Sequence, residues 1–173
     1  LPATAAGLRA VTGYGSYDSC VGTCTGSVPA SVRRPLNFPA LAPGGGCPES
    51  AGASIAGVGP GQGSGPVYVA QPSPLAVTSF VGSTWLAARV TFVAAPNYTG
   101  PVLIRGGQIG GAGAVGFGEG QVPVDELQLF TSVTTSSGPR EWPSFTRLRS
   151  PGCYAYQADG TNFSEVIVFA ATG

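Results

Sequence analysis

The charged and thiol side chains of this 173-residue chain are eight carboxylates, eight basic residues and four cysteines, and histidine is absent. Every basic residue is an arginine; the sequence contains no lysine. Without imidazole there is no Ser-His-Asp or Cys-His relay and no common zinc hydrolase site. Without lysine there is no Schiff base and no phosphate-binding Walker lysine. Carboxylate chemistry is what remains. A glycosidase needs two carboxylates facing each other across a cleft. Asp125 and Glu126 are neighbours in a strand-like run, which points them to opposite faces. Asp159 and Glu165 flank one turn and form the best pair by position, although a turn residue and an edge charge are the simpler reading. The chain is therefore expected to be no enzyme and to carry no cofactor and no metal.

The cysteines are Cys20, Cys24, Cys47 and Cys153. Cys20 and Cys24 are separated by three residues with no following histidine, so they are not a haem attachment site, and the spacing lacks the paired knuckles of a zinc site. An even number of cysteines in a turn-rich chain reads as two disulfides of an exported protein. Of three connectivities, the expected one is Cys20–Cys24 with Cys47–Cys153. The first closes a local loop cheaply; the second constrains the unfolded chain most.

The elements that must position these groups are strands. Charged residues make up 9 % of the chain, against about 25 % in an average domain. With 28 Gly and 16 Pro, few helices can form. From Pro66 onward, short runs with period-2 alternation recur. Leu86, Ala88, Val90 and Phe92 oppose Trp85, Ala87, Arg89 and Thr91. Val102 and Ile104 oppose Leu103 and Arg105. Tyr154, Tyr156 and Ala158 oppose Cys153, Ala155 and Gln157, and Asp159-Gly160 turns the chain into Glu165–Ala170. In that returning strand Ile167 and Phe169 share a face with Glu165, and the opposite face is expected to be the more buried if only one side meets the core. The fold class is all-β, an antiparallel β-sandwich of immunoglobulin-like type over residues 66–173. Residues 1–65 read as a Gly/Pro/Ala-rich arm that packs on the sandwich or on a neighbour. Within it, "PALAPGGGCPES" and "AGVGPGQGSGP" read as punctuation.

Gly100–Gly106 (GPVLIRG), Trp142–Arg147 (WPSFTR) and Gly152–Phe169 (GCYAYQADGTNFSEVIVF) resemble recurrent motifs of uncharacterised exported, lipoprotein-like β-rich proteins of high-GC bacteria. The resemblance spans about residues 47–170. It implies an exported β-rich domain and brings no activity or catalytic residue with it.

Zero net charge and the absence of a basic stripe speak against nucleic acid and anionic lipid as partners. No apolar run approaches the length of a membrane span. Asn97-Tyr98-Thr99 and Asn162-Phe163-Ser164 are N-glycosylation sequons. Tyr14, Tyr17, Trp85 and Trp142 are candidates for an aromatic sugar platform. Two functions follow. One is an extracellular structural protein that assembles into homo-oligomers or a filament or surface layer, through arm residues Leu8, Ala10, Val11 and Thr12 added as a strand to a neighbour's sheet. The other is an extracellular carbohydrate-binding module with a glycan as partner.

Overall fold

The computed structural model describes residues 28–71, 73–129 and 138–173, and the backbone of 19–21. The assembly residues Leu8, Ala10, Val11 and Thr12, the aromatics Tyr14 and Tyr17, and the Cys20–Cys24 pairing lie outside the described residues.

The described chain is built of strands, apart from one 3-10 turn at Ala30–Val32. In chain order the first seven are β1 (Ser19–Val21), β2 (Gly52–Ile55), β3 (Gly59–Gln62), β4 (Val67–Val69), β5 (Leu75–Ala76), β6 (Thr78–Ser79) and β7 (Leu86–Ala94). There follow β8 (Val102–Gln108), β9 (Gly116–Phe117), β10 (Glu126–Leu129), β11 (Arg140–Leu148), β12 (Gly152–Asp159) and β13 (Ser164–Thr172). They form two packed sheets. The first has the order β1-β10-β8-β12-β13-β5; the second runs β2-β3-β4-β7-β11-β9, with β6 also on β7. All pairs are antiparallel except β13 with β5. The layered architecture is the expected β-sandwich.

One segment belongs to both sheets. The chain leaves β4 beside β7, crosses to pair β5 with β13, and returns as β6 beside β7. In the gap it leaves along β7, Ala70 N donates to Thr91 O and the Gln71 side-chain oxygen accepts from Thr91 N.

The core lies between the sheets and follows the alternation. Ala88, Val90 and Phe92 of β7, Val102 and Ile104 of β8, and Tyr154, Tyr156 and Ala158 of β12 all face into it. The Tyr156 ring stacks on Phe169 at 4.4 Å and meets Phe92 edge-on at 5.2 Å. Its hydroxyl lies 2.5 Å from Thr146 Oγ1, one buried polar contact joining the two sheets.

In two places the chain departs from the sequence expectations. "AGVGPGQGSGP" is not all punctuation: Gly59–Gln62 is strand β3, paired with β2 and β4. A side chain at Gly61 would meet Val69 O at 2.4 Å and Ile55 Cδ1 at 2.5 Å, so close packing requires glycine there. The second departure is in β13. The Glu165 face, with Ile167 and Phe169, is the one that enters the main core. The opposite face, with Val166 and Val168, is covered as well, because residues 28–50 run across the outside of the first sheet as a strap.

The strap is fastened along its length. Arg33 pairs with Glu126 at 2.6 Å. Asn37 N donates to Gln157 Oε1 at 2.8 Å, and Gln157 Nε2 donates to Pro35 O at 3.0 Å. Phe38 lies over Gly107 and Leu41 over Gly110, where a Cβ would sit 3.0 Å and 3.2 Å from them. Phe38, Leu41, Cys47 and Cys153 close a second apolar cluster with Ile109, Ala155 and Val168. Cys47 and Cys153 form a disulfide with Cα atoms 5.4 Å apart, as expected.

Ser50 and Ser73 complete the free side of β13. Ser50 N donates to Val168 O, Val168 N donates to Ser50 Oγ at 2.8 Å, and Ala170 N donates to Ser73 Oγ at 2.9 Å.

Two outcomes test this packing. Peptide mapping of unreduced protein should recover a linked Cys47–Cys153 pair; alkylation of both thiols in native protein would contradict it. Phe169→Ala, at a 2 % exposed ring, should cost about 3–5 kcal/mol in denaturant unfolding.

Candidate functional site

Asp159 and Glu165, the carboxylates that flank the β12–β13 turn, lie on opposite faces of the first sheet. Ala158 is opposite Glu165, and Asp159 is opposite Ser164. Glu165 is on the core side and Asp159 under the strap, so no cleft lies between them and they cannot act as an acid–nucleophile pair. Among the described residues, no group of three or more potential metal ligands gathers.

The two tryptophans do not make a platform. Trp142 is 3 % exposed, with the Arg140 guanidinium 4.9 Å from its ring. Trp85 precedes Leu86, at the other end of β7, and Arg149 covers it at 4.2 Å.

A different set of residues does converge. At the end of the sandwich where β7 and β12 finish, a cleft of about 360 Å³ opens between three loops. One wall is Ser64, Gly65, Pro66 and Tyr68; the second is Ala95, Asn97 and Tyr98; the third is Asn162 and Phe163 of the β12–β13 turn. Both sequon asparagines, 65 positions apart in the chain, are exposed and face this one space. Each is followed by a half-buried aromatic residue, and the two rings meet edge-on: Tyr98 and Phe163 are 4.9 Å apart at 86°. Among the described residues the lining holds aromatic faces, amides and hydroxyls, with no carboxylate and no guanidinium.

Charged groups stand behind the walls instead. Glu165, 7 % exposed, accepts on Oε1 from Ser64 N, Ser64 Oγ at 3.0 Å and Gly65 N at 2.9 Å. It thereby holds the first wall in a conformation with Gly63 and Gly65 at φ 119° and 88°. A Cβ at Gly65 would also lie 2.3 Å from the Tyr68 hydroxyl. Arg140 donates to Tyr98 O and Gly100 O, both at 2.9 Å, and fixes the second wall. The third is tied to the second by Tyr98: its hydroxyl donates to Pro101 O at 2.6 Å and accepts from Thr161 N at 2.9 Å.

Sequence reasoning singled out Asn97 and Asn162 but not Tyr68, Tyr98 or Phe163. The available signal was the shared pattern Asn-aromatic-Ser/Thr, present twice. That the two copies meet depends on register, which no local pattern carries.

No family model, no curated protein and no solved structure matches this chain. Among the described residues no helix is long and apolar enough to cross a membrane.

Burial pushes the Glu165 carboxyl above its ordinary value of 4.5, against the hydrogen bonds from Ser64 and Gly65. The native state therefore holds this proton more tightly than the unfolded chain. The associated stability is complete below the ordinary value and is lost as pH rises through the raised one. Thermal melts from about pH 4 to 8 should show wild type losing ground to Glu165→Gln as pH rises. A constant difference between the two would show that this carboxyl does not titrate in that window.

Proposed function

We propose that this chain is a non-catalytic extracellular domain that binds a neutral glycan in the cleft at the β12–β13 end. The observation that carries the reading is the chemistry of the lining: Tyr68, Tyr98 and Phe163 offer ring faces and edges, while Asn97 and Asn162 offer paired donors and acceptors. Sugars present apolar C–H faces and a rim of hydroxyls, so aromatic contact with amide hydrogen bonds is the matching surface. A lining whose described residues carry no ionised group favours an uncharged ligand over a phosphate or a carboxylate. The volume is at the small end of ligand sites and suits one or two sugar rings.

Export is part of the proposal. The Cys47–Cys153 disulfide suits an oxidising compartment, and the resemblance to exported, lipoprotein-like proteins points the same way. Assembly through Leu8–Thr12 rests on residues outside those described, and no observation on the described residues favours it. N-glycosylation of Asn97 or Asn162 would fill the cleft with an attached sugar, so modification and binding exclude each other at this site.

The test is titration of the native protein with neutral disaccharides such as cellobiose, mannobiose and diacetylchitobiose, followed by saturation-transfer NMR and calorimetry. Binding of at least one probe at millimolar sugar is expected. Asn162→Ala should weaken it about tenfold, in line with the loss of one or two hydrogen bonds that leaves their partners unpaired. No binding by any neutral sugar, or a native mass showing hexose already attached at Asn97 or Asn162, would overturn the reading.

A further inference from the structure

Arg34 belongs to the strap and lines no part of the cleft, yet it reaches the cleft's third wall from behind. Its Nη1 donates to Gly160 O at 2.7 Å and its Nη2 to Thr161 O at 3.2 Å. These are consecutive carbonyls of the β12–β13 turn. Each lies in a planar peptide unit with the amide of the next residue, so fixing the oxygen fixes the plane. The Gly160 carbonyl shares its plane with Thr161 N, which Tyr98 holds from the other side. The Thr161 carbonyl shares its plane with Asn162 N. Arg34 thus sets the direction in which the chain enters Asn162 and Phe163, the two residues of the turn that line the cleft.

Arg34 is itself held in place. Its backbone N donates to Asp159 Oδ2 at 3.4 Å and its carbonyl accepts from Arg105 Nη2. Asp159, with no exposure at all, takes Arg105 at 2.6 Å, Ser164 Oγ at 2.6 Å and Gln157 Nε2 at 3.0 Å. Asp159 and Ser164 are the residues between which the turn begins and ends, so one buried carboxylate fastens the strap and the base of the turn together. A glycine at 160 is needed because the Phe163 ring lies where a Cβ would be, 2.1 Å from Cε1. That leaves the turn with a residue of wide backbone freedom, and the Arg34 fork restricts it.

We infer that Arg34 is a positioning residue for the cleft: through the Gly160 and Thr161 carbonyls, the N-terminal strap sets the placement of Asn162 and Phe163 and with it the affinity for ligand. This rests on the reading of the cleft as a glycan site, and the test separates the two. Hydrogen exchange of the amides from Gly160 to Ser164 is measured without ligand in wild type, Arg34→Ala, Arg34→Lys and Leu41→Ala. Leu41→Ala loosens the strap elsewhere, over Gly110, and serves as the control for general destabilisation. Binding of the disaccharide that wild type takes is measured on the same four proteins.

Arg34→Ala should speed exchange of the turn amides at least about tenfold and weaken binding by a similar factor, as expected for two hydrogen bonds from a charged donor. Arg34→Lys, which can reach only one carbonyl at a time, should fall between. Leu41→Ala should lower the melting temperature while leaving turn exchange and affinity near wild type. Unchanged turn exchange in Arg34→Ala overturns the inference, as does a Leu41→Ala effect of equal size. If wild type binds no neutral sugar, the glycan reading fails, and the exchange comparison alone decides whether Arg34 holds the turn.

Discussion

The structure depends on the β12–β13 hairpin being buried on both faces. Its inner face carries Tyr154, Tyr156, Ile167 and Phe169 into the core. Its outer face would be a wet face in a simple sandwich, but Ala155 and Val168 are buried there under the strap. A strand covered on both sides cannot leave polar groups unpaired without large cost. Gln157 and Asp159 lie on that outer face, and their hydrogen bonds to Pro35, Asn37, Arg34 and Arg105 follow from this requirement. The disulfide closes the same contact covalently. The strap is thus the third layer of the domain, and its polar fastenings answer a desolvation problem that the hairpin creates.

Arginine is the usual fastening. Arg34, Arg105, Arg140 and Arg147 all donate to backbone carbonyls of loops distant in sequence. At the end opposite the cleft, Arg147, fully buried, donates to Gly118 O and Gly120 O and to Ser83 Oγ, and stacks 3.8 Å over Phe80. Two loops ending in the exposed Val81 and Val122 are thereby joined. A guanidinium is planar, presents five donors in a fixed fork and stacks on rings; an ammonium does neither of the last two. A chain with many irregular Gly-rich loops has many orphan carbonyls to satisfy, and this gives a physical reason for basic residues that are all arginine.

The alternating strands were legible because their side chains report one buried face directly. β7, β8 and the β12–β13 hairpin follow from that pattern, and Cys47 opposite Cys153 from loop-closure reasoning. β3 was not legible: glycine at 61 is demanded by Val69 and Ile55 across the sheet, and no local propensity encodes a neighbour's proximity. The sidedness of Glu165 departs from expectation because its carboxylate is received by the protein rather than by water. The three donors that receive it sit a hundred residues earlier in a Gly-Ser-Gly run. The run Val166–Ala171 did carry a sign of double burial, being apolar at every position. The cleft was only half legible, since its walls come from three loops brought together by strand register.

The serines beside β13 have a consequence for growth of the sheet. A paired strand offers its far edge to the next strand, so a ladder can propagate indefinitely. The hydroxyls of Ser50 and Ser73 accept from the amides of Val168 and Ala170, and a hydroxyl has no second edge to pass on. Over these residues the ladder is terminated rather than extended. At Val168 and Ala170 the free side of β13 is closed to templating by another chain.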